Sequence, residues 1–266
     1  MDTPKTGLRP SSRAPAVLLA AAAVAAAILA VTWIRQRAGL PPAPPPEVAR
    51  VVAGGVGGAE TPSGTVPVVE PDRVRSLLES VSASALFRRA LAEGDLVRRW
   101  TVVTDNLAEG VSPRAQLGFL APGRPFSVVN RRGKHVIAPE SYGRYDEFAD
   151  AVASVDARAV ASVYRELHPV LEAAYRALGY PTASLDGVTA RALHRLEAAP
   201  TRDGAVVVRR EGRAFLFADD RLEDLGAVEK QLLRMGPRNT RLLQAKAREI
   251  LDALGLPAGA QVAGQR

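Results

Sequence analysis

Two His/Glu spacings are the first pattern in the sequence with a chemical meaning. His168 and Glu172 lie four residues apart, and His194 and Glu197 lie three apart. On a helix either spacing places both side chains on one face, so two facing pairs could bind a metal ion. Against this, Pro169 disturbs the helix that would carry the first pair, and the sequence has no HExxH pattern. We therefore predict no metal site and no cofactor.

Motifs of known catalytic or nucleotide-binding sites are absent from the sequence. It contains no GxSxG nucleophile elbow, no P-loop and no GxGxxG dinucleotide fingerprint. We therefore predict no catalytic residue. The chain also lacks cysteine, so disulfide bonds are excluded and the folded part must be stabilised by its own packed core.

Asp105 and Asn106 form the first half of a candidate polar cluster. They lie near the C-terminal end of a predicted helix, where the helix dipole disfavours a negative charge. Asp105 therefore needs a cation nearby, and Arg144 or Arg99 would serve. We expect Asp105 and Arg144 to form an ion pair or to share one hydrogen-bond network.

Tyr142, Arg144, Tyr145 and Asp146 form the second half of this cluster, which is the densest polar and aromatic group in the sequence. One interpretation is a ligand-binding pocket. The other is an Arg–Asp network that fixes a loop against helices. We favour the structural interpretation because nothing beside these residues resembles a nucleophile with its base.

Residues 14–34 form an apolar, uncharged run flanked by Arg13 and Arg35. A membrane-spanning helix needs about 20 apolar residues, which this run supplies. We predict an uncleaved transmembrane helix, a cytoplasmic tail at 1–13 and a C-terminal domain exported across the bacterial inner membrane to the periplasm. The alternatives are a cleaved signal peptide, whose apolar region is usually ~7–15 residues, and a soluble Ala-rich helix.

The positive charge of the chain belongs mainly to this N-terminal region. The formal net charge is +7, and residues 1–37 hold five basic groups and one acidic group. Those residues therefore carry +4, which leaves only +3 for the rest of the chain. So small an excess excludes the electrostatic footprint of a DNA- or RNA-binding protein.

Residues 35–70 are predicted to be a disordered Pro/Gly-rich linker. PPAPPP at 41–46 favours stiff polyproline II, whereas GGVGG at 54–58 is flexible. The last residues, 256–266, are predicted to be a disordered tail. Between them, residues 71–255 are predicted to form one domain.

This domain is predicted to be mainly α-helical, with two small β-hairpins. Apolar residues at helical spacing predict helices that start near Asp72, Leu86, Leu96, Asp156, Leu185, Asp219 and Pro237. The helix that starts near Asp156 contains Pro169, so we expect a kink or a break there. The hairpins pair 126–129 with 135–138 around 130–133, and 205–210 with 213–218 around 211–212.

Five segments resemble signatures of DUF3014, a bacterial family of unknown function. They are VVTDNLAEG at 102–110, YGRYDEF at 142–148, VYRELHPVLEAAYRALGYP at 163–181, FADDRLEDL at 217–225 and KQLLRMGPRN at 230–239. The resemblance implies a single-span protein with a Pro-rich linker and an exported helical domain, but no activity or site residue. One departure is Asp220, where the family pattern often has proline at the first helical position.

Two classes of function remain. In the first, a tethered interaction or scaffold domain without enzymatic activity binds an envelope protein or a cell-wall component. In the second, the domain is an envelope enzyme or a small-ligand-binding domain that uses the region of Arg144, Tyr145 and Asp146. The absence of catalytic motifs favours the first class.

Overall fold

The computed structural model describes residues 69–179 and 184–256. The predicted cytoplasmic tail, the predicted transmembrane helix at 14–34, nearly all of the linker and nearly all of the C-terminal tail lie outside these residues. Within the two described ranges, no helix has the length and apolar character needed to cross a membrane.

The described residues form a mainly helical domain with a small antiparallel β-sheet. Its strands are β1 (Val128–Arg131), β2 (Lys134–Ile137), β3 (Val207–Glu211) and β4 (Ala214–Phe217). Two short 3-10 turns, Arg114–Gln116 and Gly118–Leu120, precede the sheet. The helices are α1 (Pro71–Glu79), α2 (Ala85–Leu91), α3 (Leu96–Ala108), α4 (Pro139–Gly143), α5 (Asp146–Ala153), α6 (Ala157–Arg176), α7 (Leu185–Ala198), α8 (Asp220–Glu223), α9 (Ala227–Met235) and α10 (Pro237–Leu254).

Side-chain caps fix the starts of several helices. The Asp156 carboxylate accepts hydrogen bonds from the backbone N–H groups of Arg158 and Ala159 at the start of α6, at 2.8 and 3.1 Å. Such a cap satisfies donors that have no partner within the helix. Asp219 caps α8 in the same way, which places Asp220 at the first helical position.

Two hydrophobic clusters stabilise the domain. The larger lies between the helices, and Leu107, Leu167 and Leu171 are among its most buried members. The smaller joins the sheet to α8 and α9 through Ile137, Val206, Val208, Phe217, Leu222 and Leu233. Helix α9 contributes to both clusters, since Val228 and Leu232 belong to the larger one. This helix therefore connects the sheet to the helical core.

The two predicted hairpins are present, but they join into one sheet with the strand order β1-β2-β3-β4. The junction is short: β2 pairs with β3 through His135 with Val208 and Val136 with Val207. The first turn is also shorter than predicted, because β1 and β2 meet around Arg132 and Gly133, which both have positive φ. A two-residue turn of this kind matches the twist of the strands it connects.

Other sequence predictions need correction. Helix α6 is continuous through Pro169, so the predicted break does not occur. The single helix predicted after Asp219 is instead two helices, α8 and α9, separated by residues 224–226. Helices α4 and α5 were not predicted. Helices α7 and α10, by contrast, start at Leu185 and Pro237 as predicted, and Gly236 separates α9 from α10.

Candidate functional site

The α4–α5 segment carries four of the six predicted cluster residues, and the sheet holds it in place. Pro139 lies in the first turn of α4, where its missing N–H costs no hydrogen bond. Ser141 is fully buried, and its Oγ accepts from the Ser127 N–H at 2.7 Å and donates to the Ser127 carbonyl at 2.8 Å. The segment is therefore fastened to the chain just before β1.

Tyr142 packs against a glycine that has no room for a side chain. Gly236 has a φ of +82°, and a Cβ built on it would lie 2.6 Å from Cγ of Tyr142. The buried Asn239 amide nitrogen donates to the Tyr142 carbonyl at 3.1 Å and to the Asp146 carboxylate at 2.9 Å. These contacts dock α4 and α5 onto the start of α10.

Asp146 also faces Arg238, whose Nη1 lies 3.8 Å from its Oδ1. Nη2 of the same guanidinium lies 2.6 Å from Asp150. Hydrogen bonding to Asp150 raises the pKa of Arg238, which is exposed. Asp146 therefore has two partners from α10 and acts in docking the helices.

Arg144 has no acidic partner among the described residues. Its Nε donates to the Ser141 carbonyl at 2.9 Å, and its Nη2 lies 3.3 Å from the Tyr145 hydroxyl. The guanidinium carbon lies 5.5 Å from the ring centroid of Phe126 and 5.1 Å from that of Tyr145. Burial lowers the pKa of Arg144, and the charge of Arg124 lowers it further.

Arg234 lies close to Arg144 and is much more deeply buried, with 8% of its surface exposed. Its Nη2 donates to the Phe215 carbonyl at 3.0 Å, and its guanidinium lies 4.7 Å from the Phe217 ring centroid. Its Nε is buried without a hydrogen-bond partner in the described structure. Burial lowers the pKa of Arg234, Glu223 opposes this effect, and the positive charge of Arg144 lowers the pKa further.

Gln231 lies one helical turn before Arg234 and is completely buried. It lies beside Tyr145, whose pKa is raised by burial. Neither amide atom of Gln231 reaches hydrogen-bond geometry with any described group. Buried polar atoms of this kind are rare in native proteins, because their desolvation is not compensated.

Glu223, whose negative charge raises the pKa of Arg234, already accepts hydrogen bonds from other groups. The Glu223 carboxylate accepts from the Phe217 N–H at 2.8 Å and from Lys230 Nζ at 3.0 Å. Burial raises the pKa of Glu223, but these two hydrogen bonds hold it below its usual value. Within the described residues, neither Arg144 nor Arg234 forms a salt bridge. We refer to Arg144, Tyr145, Gln231 and Arg234 as the arginine cluster.

Asp105 and Asn106 belong to a different set of contacts. The Asp105 carboxylate accepts from the Tyr175 hydroxyl at 3.3 Å, between α3 and α6. The Asn106 carbonyl accepts from the Val111 N–H at 2.8 Å, as expected at a helix end. The expected Asp105–Arg144 ion pair is wrong, since Arg144 instead donates to groups on its own segment and to the Arg124 carbonyl.

The two His/Glu pairs differ in their contacts. His168 Nε2 lies 3.1 Å from Asp186, whereas Glu172 accepts from the Leu185 N–H at 3.0 Å. His194 Nδ1 lies 3.5 Å from Glu197, which also pairs with Arg248. In the part of the chain that the structure describes, no group of three or more His, Cys, Asp or Glu side chains could hold a metal ion.

Two cavities lie away from the arginine cluster. The larger, of about 500 Å³, is lined by residues 201–207 together with Asp219 and Leu222. The smaller, of about 300 Å³, lies beside α1 and the start of α3. Neither is lined by the unpartnered buried atoms of Gln231 or Arg234. We therefore place the candidate site at the cluster, because uncompensated polar groups indicate a ligand more directly than volume does.

Sequence reasoning missed Gln231, Arg234 and Arg124, although one signal was available. Val228, Leu232 and Met235 follow helical spacing and are buried. Gln231 falls on the same stripe, three residues after Val228 and one before Leu232. A glutamine on the apolar face of a short helix indicates a buried polar group.

Fold and site together define a mainly helical domain with a small sheet and a buried arginine cluster. The family model described as "Protein of unknown function (DUF3014)" matches residues 96–251, and the chain belongs to this family. No curated protein and no solved structure shows a significant match. Three of the five segments that carry the family resemblance meet at the cluster and its surroundings, namely 142–148, 217–225 and 230–239.

Proposed function

We propose that this protein is a single-span, membrane-tethered binding domain without enzymatic activity, and that its ligand binds at the arginine cluster. The apolar run at 14–34 supports the tether. The Pro/Gly-rich residues 35–70 support a spacer between the bilayer and the domain. The domain then faces the periplasm from the bacterial inner membrane, where an envelope protein or a cell-wall component would be its partner.

The main support for a binding site is a set of buried polar atoms without partners. Arg234 and Gln231 are buried and have such atoms, and they lie near Arg144, which is half-buried and has no acidic partner among the described residues. Burying a charge without a counter-charge destabilises a fold, because the lost hydration is not replaced. Apolar residues in these positions would pack without that cost. An uncompensated cluster therefore supports a role in binding.

The surroundings of Arg144 support binding without catalysis. Arg144 donates to the Ser141 carbonyl, and the hydroxyl of that serine is bound to both the N–H and the carbonyl of Ser127. The Tyr145 hydroxyl has its pKa raised by burial, so it stays protonated at neutral pH. A reaction would need a free nucleophile and a base within hydrogen-bond reach.

Two experiments test the proposal. An alkaline phosphatase fused after Arg266 should be active in cells, because the enzyme folds only after export. An inactive fusion would contradict the tether and export.

For binding, fractionated envelope extracts should raise the thermal midpoint of the full-length protein in detergent. Arg144→Leu should abolish this rise, whereas Arg131→Leu, at an exposed position of β1, should preserve it. Equal responses of all three proteins would exclude the cluster as the binding site.

A further inference from the structure

We infer that the arginine cluster binds a small oxyanion, a carboxylate or phosphate group, at the surface formed by Arg144 and Arg124, with Arg234 beneath it. This inference rests on the proposed binding function and names the chemistry of its ligand. Arg124 is exposed and donates from Nη2 to the Gly143 carbonyl at 3.3 Å. The Arg124 carbonyl accepts from Arg144 Nη1 at 3.4 Å. Each guanidinium therefore reaches the backbone at or beside the other arginine.

The balance of charge in this region favours an anion. Arg124, Arg144 and Arg234 form no salt bridge within residues 69–179 and 184–256. The positive charge of Arg124 lowers the pKa of Arg144, and the charge of Arg144 lowers the pKa of Arg234. Arg144 is therefore repelled by both of the other arginines. Glu223 supplies part of the counter-charge for Arg234, and a bound anion would supply the counter-charge that Arg144 and Arg124 lack.

The shape of the cluster favours an oxyanion over a halide. The Arg144 guanidinium carbon lies over the rings of Phe126 and Tyr145, and three of its five N–H groups already donate within the protein, which leaves one on Nη1 and one on Nη2 for an anion. A planar guanidinium edge matches two oxygens of a carboxylate or phosphate group. Stacking against rings also reduces the side-chain freedom that would be lost on binding.

The buried atoms point toward the same place. Arg144 donates to the Tyr145 hydroxyl, and the buried Gln231 side chain lies beside the same tyrosine. The unpartnered amide of Gln231 and Nε of Arg234 therefore belong to side chains next to the proposed anion site. The Tyr145 hydroxyl oxygen accepts from Arg144, so its own O–H can donate to an anion bound beside Arg144.

A large polyanion does not fit this arrangement. Outside residues 1–37 the chain carries a net charge of only +3. Many exposed arginines elsewhere, such as Arg73, Arg238 and Arg241, are paired with carboxylates. The positive field is therefore local, which suits a small anionic group and not a nucleic acid.

The test uses the full-length protein in nanodiscs of zwitterionic phosphatidylcholine, titrated calorimetrically with inorganic phosphate and with citrate. We expect saturable binding that sodium chloride at equal ionic strength does not reproduce. Arg144→Leu should weaken it by about tenfold or more, the effect of losing hydrogen bonds to a charged group. Arg131→Leu should leave it unchanged.

Nanodiscs that contain phosphatidylglycerol distinguish a lipid headgroup from a free anion. Thermal stabilisation seen only in those discs would assign the oxyanion to lipid.

Further variants separate binding from a purely structural role. Gln231→Leu should weaken anion binding while preserving the fold, because it replaces an unpartnered amide by an apolar side chain of similar size. A more stable Gln231→Leu protein with unchanged affinity would overturn the role of the buried atoms. Equal responses to phosphate, citrate and chloride would overturn the oxyanion site. If envelope extracts still stabilise the wild type but not Arg144→Leu, the proposed function stands and only the ligand class is wrong.

Discussion

Arg195 Nη1 lies 2.8 Å from Oε1 of Glu229, and this ion pair joins α7 to α9. The same guanidinium donates from Nε to the Ala108 carbonyl at 3.2 Å, at the end of α3. One side chain therefore connects three helices. Gly110 follows closely in the chain, and a Cβ built there would lie 2.7 Å from Arg195 Nη1.

We predict that Arg195→Ala lowers the free energy of unfolding by about 1–3 kcal/mol, because it leaves a mostly buried carboxylate without its cation. Glu229→Ala should cost a similar amount, and the double variant should cost less than the sum. Denaturant unfolding measures all three. The exposed pair Arg73–Glu166 is the control, with a coupling of about 0–1 kcal/mol. Strict additivity at Arg195 and Glu229 would contradict the prediction.

Gly236→Ala should be strongly destabilising, by about 2–4 kcal/mol, because it combines positive-φ strain with a clash. The added methyl group would lie 2.6 Å from the Tyr142 ring. Gly94→Ala is the matched control, since a Cβ added at Gly94 would have no atom within 4 Å and the φ of this residue is not positive. Thermal unfolding of both variants checks this. Similar midpoints for the two would show that Tyr142 does not pack against Gly236.

Pro169→Ala should stabilise the protein by about 1–3 kcal/mol. Pro169 is exposed within the continuous helix α6, so its ring contributes little packing. Alanine restores an N–H that can donate to the Arg165 carbonyl. Ser162→Ala, at another exposed position of α6, controls for a change to alanine alone. A loss of stability in Pro169→Ala would mean that the helix depends on the proline.

Stability should fall as pH rises above about 10. Burial raises the pKa of Tyr142, Tyr145 and Tyr164 in the folded protein, whereas unfolded tyrosines ionise near 10. Above that pH the unfolded state binds fewer protons, so the free energy of unfolding decreases by about 1.4 kcal/mol per pH unit for each tyrosine. The stabilisation is complete below pH 10 and is lost toward the folded pKa values.

Urea unfolding at several pH values between 9 and 11.5 measures this slope. Tyr164→Phe should reduce it by about 1.4 kcal/mol per pH unit. The lowered pKa values of Arg144 and Arg234 act in the opposite direction, because the folded state then releases these protons at a lower pH than the unfolded chain does. An unchanged slope in Tyr164→Phe would show that its hydroxyl ionises as it does in the unfolded chain.

Local signals in the sequence predicted the starts of several helices. Ser184 caps α7, and Gly236 with Pro237 separates α9 from α10, so these bounds depend on neighbouring residues alone. Pro169 was misleading because the core on the other face of α6 stabilises the helix despite the lost hydrogen bond. The helix after Asp219 was predicted to be continuous, and Gly226, at the start of α9, marks where it divides.

The site depends on contacts that local patterns do not encode. Tyr142, Arg144, Tyr145 and Asp146 were recognised as a polar and aromatic group, but their partners lie on α9 and α10. The ion pair between Asp105 and Arg144 was predicted from charge alone, but α3, which carries Asp105, packs against α6 and α7. Pairing two charges that are distant in sequence requires the tertiary fold, which helical spacing and capping residues do not supply.

The short junction between β2 and β3 has a consequence for the order of folding. It joins His135 and Val136 to Val207 and Val208 across the whole segment that forms α4 to α7. Each hairpin can form alone within about 1–10 μs, but this junction requires closing a long loop. We expect the two halves of the sheet to meet only as the intervening helices pack, so that amide exchange at Ile137, whose N–H donates to the Val206 carbonyl across the junction, reports late assembly.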